Sequence, residues 1–220
     1  MNTNQNLSGS NNAKFSVGID LGTTHCVLSY TTIDGGGETL EVLPIPQLVS
    51  PGVVEEKTQL PSFVYQAHEA ELAAGDNNLP WSQSDNSLSL VGTAARTLGS
   101  KTPIRLIASA KSWLGHAGVD RHSNLLPLNA PDEVNKISPV EASRRYLQHL
   151  LQAWNVKFPQ ARLQDQDVTL TVPASFDPAA RDLTVDAARQ IGLQHLTLLE
   201  EPQAALYSWI KNLGDNWRQQ

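Results

Sequence analysis

Three observations predict an α/β fold built on a mixed sheet. Two short β-rich runs, "FSVGID" and "CVLSYTTI", are separated by "LGTTH", which suits antiparallel strands joined by a glycine-bearing turn. A third run, "LEVLPI", follows the turn signal "DGGGE" and completes an opening antiparallel meander. From residue 138 onward the chain then alternates helical and strand patterns, a rhythm that lays parallel strands beside the meander and flanks them with helices.

Each element has its own local warrant. "LPSFVYQ" reads as a further strand, whereas Gln66 to Leu90 has no sustained period and reads as an elaborated loop. "VGTAARTLG" and "IRLIASAKSWLG" read as helical, with Ala94, Ala95 and Leu98 on one face, and Leu106, Ala110 and Trp113 on the next. Gly99 and Gly115 suit the ends of these helices. A second irregular stretch leads to "SPVE", where Ser138 can cap a helix, Pro139 suits its first position and Glu141 completes a capping box. Val140, Leu147, Leu150, Leu151 and Trp154 then form an apolar stripe at helical spacing. "DVTLTVP" reads as a buried strand, and Asp177 with Pro178 opens the next helix. "LQHLTLLE" is a strand, and "EPQAALYSWIKNLG" a helix ending near Gly214. Residues 1–13 carry no hydrophobic periodicity and read as a disordered leader.

Composition narrows the function classes. A chain of 220 residues, 40% hydrophobic and 17% charged, can bury a sizeable core, and it has no apolar run of about 18 residues to span a membrane. Its first residues have neither the basic nor the apolar region of a secretory signal, which argues for a cytoplasmic location. A net charge of −6 offers no basic footprint for nucleic acid. Cys26 is the lone cysteine, cannot form an internal disulfide, and sits in a strand-like run as a small core residue. None of the six histidines is spaced with an acid for metal or catalytic work, and only His25 lies beside a candidate site. Ser175 lacks the context of a nucleophile elbow, and neither a P-loop lysine motif nor a Rossmann glycine fingerprint is present.

The stretch "VGIDLGTTHC" carries the most chemistry. Gly22, Thr23 and Thr24 offer closely spaced backbone N–H groups and two hydroxyls, and Gly22 has no side chain to block an anion. Asp20 is suited to magnesium, which prefers oxygen ligands and keeps much of its water. The same residues also suit a plain hairpin whose Asp and Thr side chains satisfy turn amides. Lys111 alone is equally well explained by the favourable position of a cation near a helix end. Glu201 is either an acid in the first turn of a helix or a carboxylate presented to a cleft. Pro173, followed by Arg181, reads first as a strand terminator.

In this order the stretches "VGIDLGTTHCVLSY", "LPSFVYQ", "VGTAAR", "ASAKSWLG", "VTLTVPASFDPAARDLTVDAARQIGL" and "LLEEPQAALY" resemble the seventy-kilodalton heat-shock chaperones, the DnaK-like family of the actin-like ATPase superfamily. The resemblance runs from Val17 to Tyr207. It implies one lobe of an actin-like, ribonuclease H-like nucleotide-binding domain spanning 14–220, with a core of about 14–50 and 138–220 and an inserted subdomain at about 51–137. It also implies ATP or ADP with Mg2+ as cofactors. Asp20 would lie in the magnesium shell, with Gly22, Thr23 and Thr24 around the phosphates. Lys111 would reach the γ-phosphate and attacking water, Glu201 would help position magnesium and water, and Pro173 with Arg181 would relay nucleotide state to a substrate-binding domain. The implied partners are a second lobe, a peptide-binding domain, J-domain proteins, nucleotide-exchange factors and unfolded client peptides.

Three departures stand out. His25 replaces the usual Asn or Tyr beside the threonines, Gln66 to Leu90 is atypical, and "EEPQAA" replaces the commoner Asn-Glu-Pro-Thr-Ala-Ala. The chain also stops before the second phosphate loop and the adenosine-binding motif, so the expectation is half an ATP site in a divergent member, inactive alone. A sugar or metabolite kinase of the same fold, or a non-catalytic binding module, are the alternatives.

Overall fold

The computed structural model describes residues 13–34, 39–82 and 88–219. The leader expected at 1–13 therefore falls, apart from Ala13, outside the described residues. The opening hairpin forms as expected: β1 (Phe15–Leu21) pairs antiparallel with β2 (His25–Thr32), placing Leu21 opposite Cys26. The third run is shorter than its composition suggests. Only β3 (Glu41–Val42) pairs with β2; Pro44 intervenes, and Ile45 opens β4 (Ile45–Ser50), which instead makes a separate hairpin with β5 (Val53–Lys57).

"LPSFVYQ" is two strands rather than one. β6 (Leu60–Pro61) adds to β2, the chain breaks at Ser62, and β7 (Phe63–Gln66) moves to a second sheet between β8 (Ser89–Val91) and β9 (Leu106–Ala108). The helix expected over "IRLIASAKSWLG" is likewise divided. A 3-10 turn at Pro103–Arg105 leads into β9, and only α2 (Ala110–Leu114) is helical, closing at Gly115. A short apolar run such as Leu106-Ile107-Ala108 suits either period, and pairing with β7 decides it.

Helix α1 (Thr93–Lys101) continues through Gly99 instead of ending there. A Cβ at Gly99 would stand 2.3 Å from Leu106 Cδ1, so this glycine allows close packing of helix on strand and does not cap. Gly92 gives α1 no side-chain cap; Gln47, fully buried, accepts from Thr93 N–H and its hydroxyl while its amide donates to Gln59 O. Leu48, Tyr65, Ala67, Leu90, Ala94 and Ala95 form a small hydrophobic cluster here, with Leu98 packed against it.

Helix α3 (Pro139–Lys157) opens on Ser138, whose hydroxyl accepts from Glu141 N–H. The reciprocal half of the expected capping box is missing, because the Glu141 carboxylate is taken by Arg144 and Arg145. All five residues of the predicted stripe are buried. Then β10 (Asp167–Val172), α4 (Pro178–Gln190), β11 (Leu196–Glu200) and α5 (Glu201–Leu213) follow the predicted rhythm, with Asp177 capping α4 and Gly214 closing α5 at φ 55°. β10 is parallel to both β1 and β11, giving the order β11-β10-β1-β2-β3 with β6 also on β2.

Alternation splits that sheet by face. Val17, Ile19, Leu21, Cys26, Leu28, Tyr30, Val168, Leu170 and Val172 join the core that α3 and α4 complete. Phe15, Tyr30, Trp154 and Phe158 lock one end by aromatic contacts of 4.5–5.7 Å. Gly18, Asp20, Thr169 and Thr171 lie on the opposite, partly exposed face. Among the described residues no helix is long and apolar enough to cross a membrane.

Candidate functional site

Parallel register brings the candidate residues to one end of the sheet. Asp20 is opposite Thr171, and Val172 is opposite Glu200, so β1, β10 and β11 end side by side where the β1–β2 turn, Pro173 and the start of α5 also lie. In open α/β sheets the carboxyl ends of parallel strands are where ligands bind, because the connecting loops leave a crevice there. Asp20 is exposed, and its Oδ1 accepts from Thr171 Oγ1 at 3.0 Å. The remaining carboxylate capacity fits a cation held through water. Among the described residues no group of three or more His, Cys, Asp or Glu gathers to hold a metal ion directly.

The turn at 22–24 is tight. A Cβ on Gly22 would fall 2.3 Å from His25 O, so only glycine fits this backbone path. Thr23 and Thr24 are exposed beside it, and His25 is half-buried as β2 begins. From below, Ser62 Oγ donates to Gly22 O at 2.7 Å and Ser62 N–H donates to Thr24 O at 2.9 Å. Cys26, wholly buried, lies 3.3 Å from Ser62 Oγ, and burial pushes its thiol up to about 12. It is a core residue, as expected.

Lys111 and Glu201 are 90 residues apart in sequence and meet in space. Lys111 is the second residue of α2, only 6% exposed, and its Nζ donates to Glu201 Oε1 at 2.5 Å. Ser109, in the left-handed region at φ 55°, makes the turn from β9 into α2. A non-glycine residue held there is uncommon and stores some strain, and such conformations cluster at functional sites. The neighbouring acid has a separate cation: Arg181 Nη2 donates to Glu200 Oε1 at 2.7 Å and its Nε to Phe176 O at 3.2 Å. Pro173 ends β10, and its carbonyl accepts from Phe176 N–H in the turn leading to α4.

Sequence reasoning missed Thr171, Ser62 and Glu200, which hold Asp20, the turn and Arg181, and it missed Arg121 as well. Arg121, 8% exposed within the irregular stretch, donates to both Asp177 oxygens at 2.9–3.0 Å and to His116 O at 3.3 Å. It ties the segment after α2 to the cap of α4, and its guanidinium draws the Asp177 carboxyl down to about 2. No spacing signal marks it, because its partner lies 56 residues away.

The sequence model of the family described as "Hsp70 protein" matches residues 16–209, which takes in the turn, Lys111, Arg181 and Glu201 alike. This chain belongs to the Hsp70 family. Among curated relatives of this Hsp70 chain, a "Chaperone protein HscA homolog" of Actinobacillus pleuropneumoniae is 31% identical over 216 residues. "Chaperone protein HscA" of Enterobacter sp. and of Pectobacterium atrosepticum are each 32% identical, over 215 and 207 residues. In each case the match covers 91% of this Hsp70 chain and 29% of the relative. The mixed α/β sheet accords with the actin-like ATPase fold of the family.

Proposed function

We propose that this chain is the first lobe of the nucleotide-binding domain of a DnaK-like ATPase chaperone and supplies the phosphate and magnesium half of its ATP site. The Lys111–Glu201 ion pair, buried on the lysine side and set at the same sheet end as Asp20 and the glycine turn, is the observation that carries this reading. A pure scaffold has no need of a desolvated ammonium beside the more exposed carboxylates of Asp20 and Glu201, since a buried charge costs free energy. Family membership favours the chaperone over a sugar or metabolite kinase.

Within that reading each residue has a physical task. Thr23 and Thr24 would present hydroxyls, and the turn N–H groups, to phosphate oxygens, while Gly22 lets the turn close against His25 O. Asp20, steadied by Thr171, would hold magnesium through its water shell. Magnesium, when bound, neutralises charge on the phosphates. Lys111, paired with Glu201, would reach the γ-phosphate and attacking water, and Glu201 would help position magnesium and water. No covalent protein intermediate is needed, because positioning and charge neutralisation suffice for phosphoryl transfer. Pro173, Arg181 and Glu200 would pass the nucleotide state onward, with J-domain proteins, exchange factors and client peptides acting through the whole protein. The division into a core and an inserted subdomain is supported by the second sheet and its own hydrophobic cluster.

The test is Lys111→Ala in the complete protein, followed by single-turnover hydrolysis and nucleotide binding. Turnover should fall at least about a hundredfold, the size of a lost charge-stabilising donor, with much of the affinity kept. Unchanged turnover would remove Lys111 from the mechanism.

A further inference from the structure

Ser62 stands at the break between β6 and β7, 2% exposed, with its amide and its hydroxyl both directed to the opening turn. Its hydroxyl proton is committed to Gly22 O at 2.7 Å, so in the 3.3 Å contact beside it the Cys26 thiol is the donor. A relay of Cys26 S–H to Ser62 O–H to Gly22 C=O therefore runs beneath the turn, and Ser62 N–H holds Thr24 O alongside it.

We propose that Ser62 is the positioning residue of the phosphate turn, fixing the Gly22–Thr23 peptide so that its N–H faces the ligand side. The inference rests on the phosphate reading of that turn. A trans peptide is planar, with C=O and N–H on opposite sides, so a Gly22 carbonyl pinned inward to Ser62 places the Thr23 N–H outward. Glycine is what makes the pin necessary. The missing side chain that lets the turn close against His25 O also lowers the cost of rotating the adjoining peptide, and rotation would turn a carbonyl oxygen toward the phosphate. Neither Lys111 nor Glu201 restrains this peptide; the restraint comes from the strand break, 40 residues further along the chain. Ser62 N–H on Thr24 O extends the β6–β2 pairing by one bond, and from Phe63 the chain passes to the second sheet.

The test uses the 15N-labelled chain and Mg·ATP, following the Thr23 and Thr24 amide signals in the wild type and in Ser62→Ala. In wild type these signals should shift with Mg·ATP. In Ser62→Ala, with the remaining spectrum and the unfolding temperature little changed, the dissociation constant should rise about tenfold, as for one lost hydrogen bond. Ser62→Thr, which keeps the hydroxyl, should restore it to within about twofold. Without nucleotide, Ser62→Ala should show microsecond-to-millisecond exchange at Thr23 that wild type lacks. Should Ser62→Ala fail to fold, Ser62→Cys, similar in shape and a poor donor, carries the same comparison. Equal affinity and no added exchange, with a normal wild-type response, would overturn the role of Ser62 and leave the phosphate site standing. If the wild-type amides ignore Mg·ATP, the phosphate reading fails, and the assignment of Ser62 goes with it.

Discussion

His149 shows what burial does to a single titratable group in this chain. It is 5% exposed on α3, its ring meets Trp81 edge-on at 4.9 Å, and its Nε2 contacts Pro46 O at 2.8 Å. The neutral ring donates in that contact, and burial pulls its pKa from 6.5 to about 4. As pH falls below 6.5 the unfolded chain takes up a proton that the native ring refuses, so stability drops steadily until about pH 4. The full loss for this one group is about 3 kcal/mol. Urea unfolding at pH 7.5, 5.5 and 4.5 should show that slope, and His149→Gln should flatten much of it. An equal slope in both proteins would place the pH dependence elsewhere.

At the scale of elements, caps and close contacts decide where helices begin and end. Ser138 satisfies the Glu141 amide, and Ser138→Ala should cost about 1 kcal/mol by thermal unfolding. Gly99→Ala tests a different kind of contact. Helix propensity alone predicts a gain of about 0.5–1 kcal/mol, but the new methyl would collide with Leu106, so a net loss of about 1–2 kcal/mol is expected. The same contrast explains how much was legible in the sequence. Long periodic stretches such as α3, and helix starts marked by Ser138-Pro139 or Asp177-Pro178, carry their structure locally and formed as read. Gly99, the divided "LPSFVYQ" run and the short β9 were misread because tertiary pairing, not local pattern, fixes them. The buried Gln47 that caps α1 from 46 residues away is invisible for the same reason.

At the scale of the molecule, β1, β10 and β11 end side by side, so that residues far apart in sequence share one rim. Asp20, Gly22, Thr23 and Thr24 were readable from one stretch, and their placement at the end of β1 and on the hairpin turn after it follows from that stretch. Lys111 and Glu201 acquired meaning only from the family resemblance, and their 2.5 Å contact needs the fold. Arg121 and Ser62 could not be found from spacing at all, since each works through partners at least 40 residues away at its key contact. The chain spans 29% of the length of the HscA relatives. The most direct test is a calorimetric titration of Mg·ATP into this 220-residue chain and its Asp20→Ala variant. A half-site predicts weak, magnesium-dependent binding that Asp20→Ala reduces further. Tight saturable binding by the chain alone, or binding indifferent to magnesium and to Asp20, would contradict it.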